Sequence, residues 1–408
     1  MKWRMFICAI CFLIGGCSLN IPLEDQFSDP DAITDVLSAR SLLASAYKAM
    51  PQQIFQLSVL SDDFCPSQHL NKDMSLQGLY NWREVEMTEL AGTLWAGYYA
   101  VIAEVNALLA RIDAVVTLDE TEKLEKMRIV CEAKALKSWC YFDLLRLFAP
   151  RYEGNENKDG IILKKRVELD FLPRSSVKEC VTEIRTLLNE ARNVDNTQKN
   201  VYWLSDKAVA YLQVELELYA GNYPAVLELT KDLETEYPES VLGADVYKYL
   251  WSSENSDARI FGKYQLEQIY MDIRFDTFEK GDYLVLSQNV DYEEEDIRKE
   301  WSEIPFVMPD AKNVRLLGKY NKMNRDKVAS KYVNVARAAG MWLMRVEALA
   351  RSGKEGDAVA LANRMLKQRG ATEWSTNIAG NELISKILIE RQKEYVIRAH
   401  PFFGHNFC

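Results

Sequence analysis

Histidine is scarce in this chain of 408 residues, which has only His69, His400 and His405. A histidine-rich metal centre is therefore not expected, and no bound cofactor is implied. The chain also lacks GxSxG, HExxH and P-loop signatures, which removes the common nucleophile, zinc-hydrolase and phosphate-cradle motifs. Positive charge is in short supply: 50 lysines and arginines stand against 60 acids, for a formal net charge of −10. Such a surface repels phosphate backbones, so nucleic acid is not an expected partner. Beyond the first residues, no apolar stretch is expected to be long enough to span a membrane.

What is present begins at the N-terminus, MKWRMFICAICFLIGGCSLN. The apolar run Met5 to Ile14 is about half the ~20 residues a membrane-spanning helix needs. Lys2 and Arg4 precede it and small residues close it, the layout of a secretory signal. The ending Ile14-Gly15-Gly16-Cys17 resembles the lipobox of bacterial lipoproteins, in which cleavage leaves an acylated cysteine as first residue. Residues 1–16 are thus expected to be a signal peptide, Cys17 the lipidation site and 17–30 a tether. Cys8 and Cys11 leave with the signal. Cys65, Cys131, Cys140, Cys180 and Cys408 remain, an odd set without a CxxC pair, so no disulfide framework is expected. Cys131 and Cys140 read as small buried residues of a helix.

The remainder, 31–408, is expected to form a single, mainly α domain. A first helix is predicted from about Asp31 to Met50. The stretch 51–83 shows no sustained helical period and reads as a long, functional loop. In TLWAGYYAVIAEVNALLARID, Trp95, Tyr99, Ile102, Val105 and Leu109 fall at helical spacing. The next helix, about Glu120 to Phe148, is apolar on two faces, so it is sandwiched between neighbours, with Ala133 and Ala135 permitting close approach. Pro150 stops it. Two helix hairpins follow, one turning at Gly221-Asn222 ahead of Pro224. The other turns at Gly353 and Gly356, with Asp357 as a cap and Gly370 as the stop. Residues from about 237 to 330 form an irregular excursion with short strands, and its acidic run DYEEED reads as a solvated face. Trp301 and Trp374 are placed in loops.

The segment EAKALKSWCYFDLLRLFAP, Glu132 to Pro150, resembles the SusD/RagB family of surface lipoproteins. Further landmarks follow in order: FLPRSSVKECVTEI, then NVARAAGMWLMRVEAL with Arg337 and Glu347 in register. Last comes ERQKEYVIRAHPFF, with Glu390, Arg391, Glu394, His400 and Phe403 matching. Ala338 and Gly340 replace the family's tyrosine and glutamate, and the C-terminal end departs from the pattern. The resemblance implies a SusD-like α-helical fold on tetratricopeptide-like helix hairpins with an irregular loop-rich excursion. It also implies a function without catalysis. Such a protein captures oligosaccharides at the outer face of the cell outer membrane and delivers them to a TonB-dependent transporter. The lipid anchor is its one hold on the membrane. A peptide-binding member of the family and a ligand-free surface scaffold are the alternatives.

A glycan surface needs flat aromatic faces for sugar rings and amides or carboxylates for hydroxyls. The 51–83 segment offers Asp62, Asp63, His69, Asn71, Tyr80, Asn81 and Trp82. Ser61-Asp62-Asp63 matches the family's Ser-Asp-Asp/Glu step. If the stretch is extended, Tyr80 and Trp82 point the same way and make one stacking platform. Asp62 and Asp63 do not make a glycosidase pair. Catalytic carboxylates face each other across about 5–9.5 Å, and adjacent side chains diverge. Trp95, Tyr99, Asn106, Tyr141 and Phe142 read as core, and Arg146 as a partner for Glu132 or Asp143.

Overall fold

The computed structural model describes residues 33–61, 63–66, 74–168, 170–192, 200–252, 254–264, 284–288, 290–308, 311–320 and 332–396. Helices dominate. Helix α1 (Val36–Lys48) starts at Asp35, whose carboxylate accepts from the Ser38 amide while Ser38 reciprocates, a capping box. Two short helices follow, α2 (Ile54–Leu60) and α3 (Met74–Tyr80). Much of the expected 51–83 loop is therefore helical. Each of these helices has only seven residues, too few to show a period, and α2 has no side-chain cap.

Helix α4 (Glu84–Arg111) buries Leu90, Leu94, Tyr98, Val101, Val105 and Leu108. The buried stripe runs beside Trp95 and Tyr99, which are only partly covered. By length and composition alone the span Glu84–Ala114 would suffice to cross a membrane, contrary to the sequence expectation. Here it packs against α1, α3 and α5 (Glu120–Phe148). Helix α5 has the predicted bounds because both ends are marked. Asp119 caps the Glu122 amide, and Pro150 follows closely. Ala133, Ala135, Leu136, Cys140 and Leu144 are fully buried, as a helix covered on two sides requires. Helix α6 (Val177–Glu190) packs alongside and opens on a capping box between Ser176 and Glu179.

The first predicted hairpin is α7 (Asp206–Tyr219) and α8 (Tyr223–Leu229), with Pro224 in the first turn. After an irregular stretch come β2 (Arg259–Tyr264), β3 (Leu284–Leu286) and α9 (Ile297–Ser302). Then follow β4 (Glu303–Val307), β5 (Asn313–Leu317) and β6 (Tyr332–Arg337). Trp301 thus lies on a helix instead of a loop. The short β1 (Phe64–Pro66) joins an antiparallel sheet ordered β1-β3-β5-β4, while β2 and β6 pair antiparallel by themselves. In the acidic run Glu293 to Glu295 are exposed as expected, but Asp296 is buried on Arg298.

Helix α10 (Ala338–Arg351) continues from β6 and forms the second hairpin with α11 (Glu355–Arg369). Asp357 does not cap α11. The N-cap is Lys354, without a side-chain bond, and Asp357 sits inside the first turn. Gly370 ends α11 in the left-handed region, φ 68°, and a Cβ there would stand 2.4 Å from the Glu295 carbonyl oxygen. Helix α12 (Gly380–Tyr395) closes the described chain against α10. One continuous apolar core links Ile33 to Val396, and a small second core of Ile304, Met308 and Leu316 lies under the four-stranded sheet.

Candidate functional site

The residues singled out from sequence are scattered in their roles. Cys17, Asp62, His69, Asn71, His400 and Phe403 lie outside the described residues. Asp63 is 9% exposed at the edge of β1, where its carbonyl accepts from the Ser287 amide. Tyr80 ends α3, and its hydroxyl lies 3.3 Å from the Cys65 sulfur. Asn81 turns its side-chain amide back to the Gln77 carbonyl.

Trp82 follows in the left-handed region at φ 54°, 66% exposed. Its amide bonds the Leu79 carbonyl and the Arg83 amide bonds the Gly78 carbonyl, the paired closure of a Schellman turn. The position usually belongs to glycine, and a tryptophan there pays roughly 1–2 kcal/mol of backbone strain. The stretch is therefore not extended, and Tyr80 and Trp82 do not alternate on one strand face.

Aromatic side chains converge elsewhere. The register of β2 on β6 sets Tyr264 opposite Tyr332, ring centroids 5.9 Å apart. The segment 200–204 docks on β2 through the Gly262 amide, which donates to the Val201 carbonyl at 2.9 Å. A side chain at Gly262 would press on Tyr332 and Arg259, so the bare backbone leaves room for the Tyr332 ring. Docking brings Tyr202 to 5.6 Å from Tyr264 and parallel, within 9°, to Tyr332. Trp203 stands 5.6 Å from Tyr202 and edge-on to Tyr47 at 5.0 Å. Tyr47 is fixed from both sides, since its hydroxyl accepts from the Leu204 amide and donates to Glu132.

Tyr47, Tyr202, Trp203 and Tyr264 wall a cleft of about 630 Å³, with Phe55 on the α2 side and the buried Trp139 also in its lining. That volume suits a small ligand or a few sugar units, and the rings are partly exposed instead of closed into the core. Lys48, Gln52, Gln56 and Lys263 supply the polar groups. Lys263 lies in β2 with its ammonium on the Met50 carbonyl, at 3.0 Å, and on that of Pro51. Burial lowers its pKa to about 7, an effect that Asp143 and Cys140 offset only in part. None of Asp63, Tyr80, Asn81 or Trp82 is among the lining residues. The aromatic cleft was missed because its parts come from four distant stretches, 44–56, Trp139, 202–203 and 263–264. The local signals were the Tyr202-Trp203 pair and the tyrosines ending β2 and opening β6.

The residues matched to the family serve another purpose. Glu394 is buried among three guanidiniums, with Arg369 at 3.2 Å, Arg337 at 3.4 Å and Arg298 at 3.7 Å. Burial alone would raise its pKa, but Arg369, Arg337 and Arg298 outweigh that and hold it at about 2. Glu390 pairs with Arg298 at 2.6 Å, and Glu347 bridges Arg351 and Arg391. Arg146 pairs with Asp143 and lies 3.5 Å from Glu215, while Glu132 takes Arg40. A Cβ at Gly340 would meet the hydroxyls of Tyr211 and Tyr395, 3.1 Å apart, so this tyrosine pair fills the space that the family's side chain would need.

Residues 23–214 match the SusD-like_3 family, described as "Starch-binding associating with outer membrane". This stretch is similar to SusD-like proteins. The likeness extends to solved structures. A SusD superfamily protein from Bacteroides vulgatus is 18% identical, with a TM-score of 0.75 over 91% of this chain and 88% of that one. Another SusD superfamily protein, from Bacteroides thetaiotaomicron, is 18% identical at TM-score 0.74, over 90% and 87%. A SusD-like carbohydrate binding protein from Bacteroides vulgatus is 18% identical at 0.69, over 88% and 81%. At such identities the shared property is the fold. No curated protein matches the sequence. The mainly α, SusD-like architecture expected from the landmarks is the one observed.

Proposed function

We propose that this protein is a non-catalytic, SusD-like glycan-binding lipoprotein of the outer membrane. In this reading Cys17 carries the lipid anchor, residues 17–30 tether the domain 31–408 at the cell exterior, and bound oligosaccharide passes to a TonB-dependent transporter. The family's description as starch-binding and outer-membrane-associated supports the ligand class and the location. The carbohydrate-binding relative of the same fold supports the ligand class as well.

The observation that carries the proposal is the aromatic cleft of Tyr47, Phe55, Tyr202, Trp203 and Tyr264. Sugar rings have apolar faces that stack on aromatic planes, and the glutamines beside them suit hydroxyl groups. An enclosed aromatic side chain buries about 150–250 Å². A sugar covers part of that, so at about 25 cal/mol per Å² one ring contributes roughly 1–2 kcal/mol. The test is calorimetric titration of wild type and Tyr264→Ala with a panel of oligosaccharides and peptides. The expected result is oligosaccharide binding weakened roughly five- to thirtyfold by the substitution. Binding of peptides alone overturns the glycan reading.

A further inference from the structure

We infer that the cleft takes oligosaccharides bearing anionic groups, carboxylate or sulfate ester, and that Lys48 at its lip and Lys263 at its floor receive the charge. The inference rests on the glycan reading of this cleft. Its basis is a local imbalance of charge. The chain as a whole carries ten more acids than bases. The lining of the cleft holds two lysines and, among the described residues, no carboxylate.

Arg259, over the Tyr332 ring at 5.1 Å, spends its guanidinium on Asn334 and four backbone carbonyls and lies outside the cleft lining. Arg40 lies over the Trp203 ring at 5.1 Å and pairs with Glu125 and Glu132, so neither it nor Glu132 leaves charge unmet. The cleft lysines differ. Among the described residues Lys48 is exposed and has no ion pair or hydrogen bond. Lys263 is 7% exposed and meets backbone carbonyls instead of a carboxylate. Burying this cation is costly, the more distant Asp143 offsets the cost only in part, and the lowered pKa of Lys263 expresses what is left. An ammonium has three donors, and two of those on Lys263 go to Met50 and Pro51. An anionic group reaching the floor would relieve the charge while the sugar ring lies against the tyrosines. A neutral glycan would stack equally well but leave both lysines unanswered.

The experiment titrates the full mature protein with three probes of equal length: oligogalacturonate, sulfated galacto-oligosaccharide and neutral galacto-oligosaccharide. Lys48→Gln and Lys48→Glu are measured beside wild type. Lys231→Gln, an exposed lysine paired with Glu228 on the α8 side, makes the same change in net charge away from the cleft. The expected result is that at least one anionic probe binds more tightly than the neutral one, and which one identifies the group. Lys48→Gln should cut that preference about two- to fivefold, the range of a partly exposed ion pair, and Lys48→Glu further. Lys231→Gln should leave it unchanged, and added salt should erode it. Equal or tighter binding of the neutral probe overturns the inference while leaving the glycan reading intact. Binding of peptides with no oligosaccharide bound overturns both.

Discussion

Two polar-aromatic regions of this molecule use similar side chains in opposite ways. Around Glu394, three arginines and two further carboxylates are buried and paired with one another, and Lys319 beside them donates to backbone carbonyls. Around Tyr202, the rings are half open, and the lysines beside them are met by no carboxylate. The first region is closed off from solvent, and its ion pairs join α9, β6, α11 and α12. The second is left incomplete on one side. Buried, mutually paired charge acts as a structural staple, while open aromatic surface in a cleft leaves room for a ligand.

That contrast breaks most sharply at Glu394. Glu394→Gln removes the charge facing three buried arginines, and breaking such a buried set costs about 3–5 kcal/mol. The Glu394 carboxyl lies near 2 when folded, against 4.5 ordinarily. Its stabilisation is therefore present above about pH 4.5 and lost as pH falls toward 2. Urea denaturation of both proteins should show a wide gap at pH 7 that closes through this window. A gap that persists unchanged at pH 2 would deny the staple its charge.

Ala133 tests the packing that carries both regions. It is fully buried on α5, so Ala133→Trp should overpack the crossing and cost about 1–3 kcal/mol in the same assay. Wild-type stability would mean that the crossing has room.

Tyr264→Ala sharpens the contrast from the other side. The ring is 41% exposed, so stability should change by no more than about 0.5 kcal/mol while oligosaccharide affinity falls by roughly 1–2 kcal/mol. A large drop in melting temperature with unchanged affinity would make Tyr264 part of the staple.

The smallest effect belongs to Trp82. Trp82→Gly removes the left-handed strain, of which the added freedom of the unfolded chain cancels a part, so a gain of about 0.5–1 kcal/mol is expected. Lost stability would show that the indole makes contacts worth more than the strain.

The sequence marked the residues of the staple, though not their pairing, and hid the cleft, for physical reasons. Arg337, Glu347, Glu390, Arg391 and Glu394 sit in helices or beside them, at spacings a family pattern preserves. Helix α5 announced itself through Asp119, its double apolar stripe and Pro150. The cleft has no such grammar. Tyr264 and Tyr332 meet through strand register, and Tyr202 joins them through one backbone hydrogen bond from Gly262. None of these pairings leaves a local period. The residues nominated instead, Tyr80 and Trp82, form one platform only in an extended stretch, and a helix end with a Schellman turn directs them otherwise.

The most direct test is a crystal structure of the protein with a bound oligosaccharide. The account predicts sugar rings lying against Tyr202, Trp203 and Tyr264, with the Glu394 cluster unchanged. Sugar density on the Tyr80–Trp82 turn, with the cleft empty, would contradict it.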